Sequence, residues 1–205
     1  PYNQRPLELG ADMVVSSSTK YLGGHSDIVG GSIVIKENKE YAEKISFIQN
    51  AVGAVPSPFD CYLLTRSIKT LSVRMKQHNE NAIAVSNYLS NHPKIEKVFF
   101  PGNDKRHKEI AEKQMDGFGG MMSFVIDSDI NGVKTFLKNL NLFTLAESLG
   151  GVESLIEHPA IMTHASIDPS IREKLGISET LLRISVGIED VDDLISDLDQ
   201  ALSKI

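Results

Sequence analysis

From Phe59 to about Asn91 the chain carries a sustained helical pattern, in which Tyr62, Ile68, Leu71, Met75, Ala82, Val85 and Leu89 recur at three- and four-residue steps. Asp60 near the start suits the positive end of the helix dipole. A helix this long serves as a spine between two lobes. The boundary is placed near Met75, giving one lobe over residues 1–74 and a second over 75–205. On both sides of the spine, short apolar segments alternate with helical ones. Val14-Val15 and Gly30 to Ile35 read as strands, with a polar, Gly-rich loop from Ser16 to Asp27 between them. A helix follows from Lys39 to about Gln49, and Gly53 to Pro58 breaks regular structure with two prolines and a glycine. In the second lobe, Val98 to Phe100, Met121 to Ile126, Phe143 to Ala146 and Leu182 to Val186 read as strands. Helices are predicted over His107 to Met115, Ile130 to Leu140 and Val191 to Leu202, the last with Val191, Leu194, Ile195, Leu198 and Leu202 on one face. Such alternation argues an α/β or α+β protein.

Composition narrows the function. Of 205 residues, 41% are hydrophobic and 23% charged, enough apolar material for a packed core. A net charge of −6 argues against a nucleic-acid grip or an anionic membrane surface as the main partner. The single cysteine, Cys61, excludes an internal disulfide and paired thiolate ligands, and suits a reducing, cytoplasmic setting. It falls at an apolar position of the helical pattern and reads as a buried structural thiol. No apolar run approaches the roughly 20 residues that span a bilayer. The six histidines are scattered, with none paired at metal-ligand spacing on a predicted helix. The chain begins at Pro1, without a basic-then-apolar leader, and enters dense pattern at once, as a cut through a longer protein would.

Three segments carry candidate chemistry. In Ser16-Ser17-Ser18-Thr19-Lys20-Tyr21-Leu22-Gly23-Gly24-His25-Ser26-Asp27 a lysine follows a strand, preceded by hydroxyls and followed by glycines. A reachable amine can form a Schiff base with a carbonyl. Ser17 and Thr19, on one side of an extended segment, can hydrogen-bond a phosphate. A lysine with phosphate-binding hydroxyls is what pyridoxal phosphate requires; on spacing alone, a solvated serine-rich loop accounts for the same residues. In Leu182-Arg183-Ile184-Ser185-Val186, alternation points Arg183 away from the apolar side. A guanidinium there can clamp a carboxylate, and an edge-strand surface arginine is the competing reading. Glu147-Ser148 lies between apolar and glycine segments, either as a site loop or as a plain turn. Gly117 to Gly120 precedes a strand and not a helix, which removes it as a phosphate loop.

The run Ser17-Ser18-Thr19-Lys20-Tyr21-Leu22-Gly23-Gly24-His25-Ser26-Asp27, with Glu147-Ser148-Leu149-Gly150-Gly151 and Arg183-Ile184-Ser185-Val186-Gly187, resembles the cysteine/methionine-metabolism family of pyridoxal 5'-phosphate enzymes. The resemblance extends from Gln4 to Leu202. It implies an α/β, PLP-dependent transferase-like fold (aspartate aminotransferase-like, type I). Residues 1–74 would be the C-terminal part of the large cofactor-binding domain and 75–205 the small C-terminal domain. It implies pyridoxal 5'-phosphate in a Schiff base with Lys20, and Ser17 and Thr19 as hydroxyls on its phosphate. Arg183 would hold the substrate α-carboxylate, with Ser148 beside it and Glu147 and Thr163 near the substrate. Glu147 matches a position that differs between members with different reactions. The implied activity is a carbon–sulfur lyase of trans-sulfuration, acting on a small amino-acid substrate in a cytoplasmic homotetramer, a dimer of dimers. Nucleic-acid and membrane partners are not expected. The family subunit is about twice as long, and its other half supplies a phosphate loop, a ring-stacking aromatic residue and the partner of the pyridine nitrogen. This segment alone is therefore expected not to sustain catalysis. A non-catalytic interaction piece is the alternative from another class.

Overall fold

A computed structural model describes residues 1–103 and 105–205, without the side chains of residues 105 and 106. The chain builds two separate sheets. The first is an antiparallel pair, β1 (Met13–Ser17) and β2 (Gly31–Ile35), with Met13 opposite Ile35 and Ser17 opposite Gly31. Neither strand has a fully buried residue. Helix α1 (Lys39–Val52) starts where the Asn38 side chain accepts from the Tyr41 N–H and stops at Gly53, whose φ of +76° ends the turn in the left-handed region.

The long helical pattern is two helices, α2 (Pro58–Ile68) and α3 (Leu71–Ser90), not one spine. The break has a hydrogen-bonding cause. The Ser67 carbonyl accepts from the Thr70 hydroxyl (3.0 Å) and from Arg74 Nη2 (3.0 Å), two donors that compete with the backbone ladder there. Helix α2 buries only Ser67. Cys61 on it is exposed, which corrects the expected buried thiol: among the described residues no element covers its face of α2.

The second sheet has five strands. In chain order they are β3 (Ile95–Phe99), β4 (Met121–Ile126), β5 (Thr144–Leu145), β6 (Leu155–Glu157) and β7 (Leu181–Ser185), arranged β3-β4-β7-β6-β5. All pairs are antiparallel except β5 with β6. Strand β7 is central, so Arg183 is not on an edge strand. Helices α4 (Lys105–Gln114), α5 (Ile130–Lys138), the one-turn α6 (Pro169–Lys174) and α7 (Val191–Leu202) complete the chain. Strand alternation sends Met122, Phe124, Ile126, Leu182 and Ile184 into the core, against Ala82, Val85 and Leu89 of α3 and Leu194, Leu198 and Leu202 of α7. Phe124 meets Phe136 of α5 edge-on, with centroids 6.2 Å apart. Among the described residues no helix is long and apolar enough to cross a membrane.

Phe124 is fully buried at this centre. Its replacement by alanine in the complete protein is expected to destabilise the C-terminal sheet by about 3–5 kcal/mol, seen as a lower denaturant midpoint. A loss below about 1 kcal/mol would show that the core does not depend on this ring.

Candidate active site

Strand β1 ends at Ser17, and pairing requires the chain to return at Gly31. The backbone therefore coils. Ser18–Leu22 form a five-residue π-turn, closed by the Gly23 N–H on the Ser18 carbonyl at 2.9 Å, and Lys20 departs from helical geometry within it (φ −89°, ψ −137°). This corrects the expected extended segment: Ser17 lies in the strand and Thr19 in the turn, so they do not share a strand face. The Thr19 hydroxyl is instead oriented by the returning strand. It accepts from the Gly30 N–H at 2.9 Å, and among the described residues its own hydrogen has only the Gly30 carbonyl, at a long 3.4 Å. Ser17 is exposed and makes no side-chain capping bond to the turn.

The far side of the turn is bolted to α3. Arg74, only 4% exposed, donates from Nη1 to the Tyr21 carbonyl (2.8 Å), from Nη2 to the Leu22 carbonyl (3.5 Å) and from Nε to the Thr70 hydroxyl (3.1 Å). Burial pulls its guanidinium below the ordinary arginine pKa. Gly24 has a φ of +70°, and a Cβ there would fall 2.1 Å from Arg74 Nη1, so the clamp requires glycine. Tyr21 accepts from the Gly120 N–H at 3.2 Å and packs edge-on against His78, with centroids 5.1 Å apart. Burial raises the Tyr21 phenol and lowers the His78 imidazole. His78 Nδ1 lies 2.7 Å from the Val186 carbonyl and donates to it as the neutral ring, while Nε2 is buried without a hydrogen-bond partner among the described residues.

Lys20 Nζ then reaches across to the second sheet and donates to Ser148 Oγ at 2.9 Å. Ser148 holds a φ of +93°, outside the usual range for a residue with a Cβ. That backbone turns its hydroxyl to Lys20 and its carbonyl to Arg183, whose Nη2 donates to it at 3.0 Å. The loop is pinned by the Gly150 N–H on Ser185 Oγ at 2.8 Å. Gly150 has φ +77°, and a Cβ there would meet the Tyr21 backbone nitrogen at 2.8 Å. Arg183 lies opposite Glu157 in the β6–β7 ladder and forms an ion pair with it. Glu157 also accepts from the Thr163 hydroxyl at 2.8 Å.

The structure thus brings Lys20, Ser148 and Arg183 into one hydrogen-bonded line, although its ends lie 163 positions apart in sequence. Thr19, Asp27, Asp60, Glu147, Ser148 and Glu153 line a cleft of about 460 Å³ on this side. Thr163 joins the line through Glu157. Ser17 stands at the end of β1, one residue before the π-turn, and its side chain makes no capping hydrogen bond to it. A cleft of about 500 Å³ between Arg5, Lys76, Asn79 and Asp116 holds none of these residues. Glu157 and Arg74 escaped the sequence reading. The first had a visible signal, a carboxylate ending the apolar Leu155-Ile156 pair just as Arg183 interrupts an apolar run. The second belongs to a polar stripe, Arg74, His78 and Asn81, spaced four and three residues apart. The donor set fits pyridoxal phosphate: a reachable amine, a Thr19 hydroxyl hydrogen without a close acceptor and an exposed Ser17 hydroxyl in the preceding strand.

Comparison with known proteins agrees. The family model for the Cys/Met metabolism PLP-dependent enzyme matches residues 1–203. A cystathionine gamma-lyase of Dictyostelium discoideum is 55% identical, over 100% of this chain and 53% of its own. A cystathionine beta-lyase of Coxiella burnetii is 54% identical, over 98% and 52%. The crystal structure of cystathionine gamma synthase from Xanthomonas oryzae pv. oryzae, in complex with aminoacrylate and cysteine, superposes with a TM-score of 0.94 at 45% identity, covering 100% of this chain and 53% of that one. The chain spans about half the length of these relatives. Its fold is that of the type I, aspartate aminotransferase-like PLP enzymes. Lyases and synthases of trans-sulfuration stand side by side among the matches, and their shared membership covers nearly every residue: the chain belongs to the Cys/Met metabolism PLP-dependent enzyme family.

Proposed function

We propose that the complete protein is a cystathionine γ-lyase, cleaving cystathionine with water to cysteine, 2-oxobutanoate and ammonia. The observation that carries this reading is the Lys20–Ser148–Arg183 line beside Glu147 at the cleft. Cystathionine γ-lyases and γ-synthases are expected to carry glutamate at the Glu147 position, methionine γ-lyases an aliphatic residue and β-lyases an aromatic one. Residues 1–74 would close the cofactor-binding domain and 75–205 form the small domain. Exposed Phe47, Phe59, Tyr62 and Val73 support burial of the first segment against further chain and a homotetramer.

Lys20 Nζ would hold pyridoxal phosphate, with Thr19 and Ser17 on its phosphate. When bound, this group supplies an electron sink for negative charge at the substrate α-carbon. The freed Lys20 amine would take the Cα proton and then a Cβ proton, so that the Cγ–S bond can break with its electron pair leaving on sulfur, and would return the two protons, one to that sulfur and one to the four-carbon chain. Ser148 Oγ, 2.9 Å from Nζ, would keep that amine aimed along the cleft. Arg183 would bind the α-carboxylate and so orient the bond to be broken.

The test is product analysis. The complete protein, loaded with pyridoxal phosphate and given L-cystathionine, is expected to yield 2-oxobutanoate in at least about tenfold excess over pyruvate, a preference of about 1.4 kcal/mol between the two eliminations. Predominant pyruvate and homocysteine would assign β-elimination. Faster turnover of O-succinylhomoserine with cysteine, or of methionine, would assign γ-synthase or methionine γ-lyase.

A further inference from the structure

We propose that Glu157 is a positioning residue for Arg183, holding one end of the guanidinium so that the other end meets the substrate carboxylate; this rests on the reading of Arg183 given above. The side chain of Glu157 is 1% exposed and that of Arg183 27%. A carboxylate this deep persists only when both oxygens are matched. They are: Oε2 accepts from Arg183 Nη2 and Oε1 from the Thr163 hydroxyl. The two donors come from different segments, β7 and the turn after β6, so Glu157 cannot swivel. His164 Nδ1 lies 2.8 Å from the same Thr163 hydroxyl and extends the support.

The consequence for Arg183 is directional. Its Nη2 is shared between Glu157 and the Ser148 carbonyl, while Nε and Nη1 make no hydrogen bond among the described residues. One end of the group is therefore fixed and the rest is free for an incoming anion. The Ser148 carbonyl alone would leave a long side chain to search its rotamers, and ordering it would then oppose substrate binding. Charge acts the other way. Glu157 offsets the positive site, so if charge dominated, removing it would tighten binding of a carboxylate. The ladder register, the two satisfied oxygens and the shared Nη2 favour positioning.

Two conservative variants of the complete, cofactor-loaded protein separate reach from charge. Glu157→Asp keeps the charge and shortens the reach; Glu157→Gln keeps an oxygen for Arg183 and an NH2 for Thr163 but removes the charge. With L-cystathionine, or whichever thioether the protein turns over, Glu157→Asp is expected to raise KM about tenfold with kcat nearly unchanged. Glu157→Gln is expected to stay within about threefold of the parent KM, with the visible absorption of bound cofactor unchanged in both. An unchanged KM in Glu157→Asp, or a larger change in Glu157→Gln, overturns the proposal. Arg183→Lys in parallel separates the two readings. If it raises KM while Glu157→Asp does not, only the role of Glu157 falls. If Arg183→Lys leaves KM unchanged, the reading of Arg183 falls and takes this one with it.

Discussion

Replacing Lys20 by alanine in the complete protein is expected to remove turnover, by about 10³-fold or more, together with the visible absorption of lysine-bound cofactor. Under the proposed function one side chain would carry both roles, covalent attachment and proton transfer. The ionisable residues described as lining the cleft beside it, Asp27, Asp60, Glu147 and Glu153, are acids and not amines. The fold should survive the change, because Lys20 Nζ makes a single hydrogen bond while Arg74 and Tyr21 hold the turn. Circular dichroism like that of the parent, with absent absorption, is the expected pair of results. A retained band, bound through another lysine, would remove Lys20 from the role.

The second large effect is expected at Arg183. Lysine there keeps the positive charge beside buried Glu157 but loses the planar fork. A lost charge-assisted hydrogen bond to the substrate carboxylate corresponds to about 1.5–3 kcal/mol, or a rise in KM of about 10- to 100-fold. Cofactor absorption is expected to stay, since Arg183 contacts Ser148 and Glu157 and not the Lys20 turn. Alanine would be a poorer probe. It would strand the Glu157 carboxylate, and breaking a buried pair in this way destabilises by about 3–5 kcal/mol. A KM unchanged in Arg183→Lys would make the arginine a purely structural partner of Glu157.

Much of the C-terminal sheet and its helices was legible because these elements are regular and one-sided. Val191–Leu202 matches the predicted closing helix, since its apolar stripe runs the length of the element, and the structure adds the Asp190 side chain as the cap at its start. Met121–Ile126 alternates cleanly, with Met122, Phe124 and Ile126 inward. The missed elements are short. Leu155–Glu157 has only three residues and α6 is a single turn, too little for any period to show. The break between α2 and α3 was invisible because no glycine or proline marks it; a serine carbonyl shared by Thr70 and Arg74 does. The site was only half legible. The residue types of Lys20 and Arg183 suggested their chemistry and the family resemblance added Ser148, but their meeting depends on a π-turn and on the positive φ of Ser148, neither of which spacing reveals. Cys61 was misplaced for a related reason: helical periodicity names a face, but not what covers it.

The central claim is that the amine on the Ser17–Asp27 segment holds the cofactor at the start of the Lys20–Ser148–Arg183 line. It is tested most directly by reducing the complete, cofactor-loaded protein with borohydride, digesting it and sequencing the pyridoxyl-bearing peptide by mass spectrometry. The account predicts one modified residue, Lys20. Modification at any other lysine, or none, would contradict it.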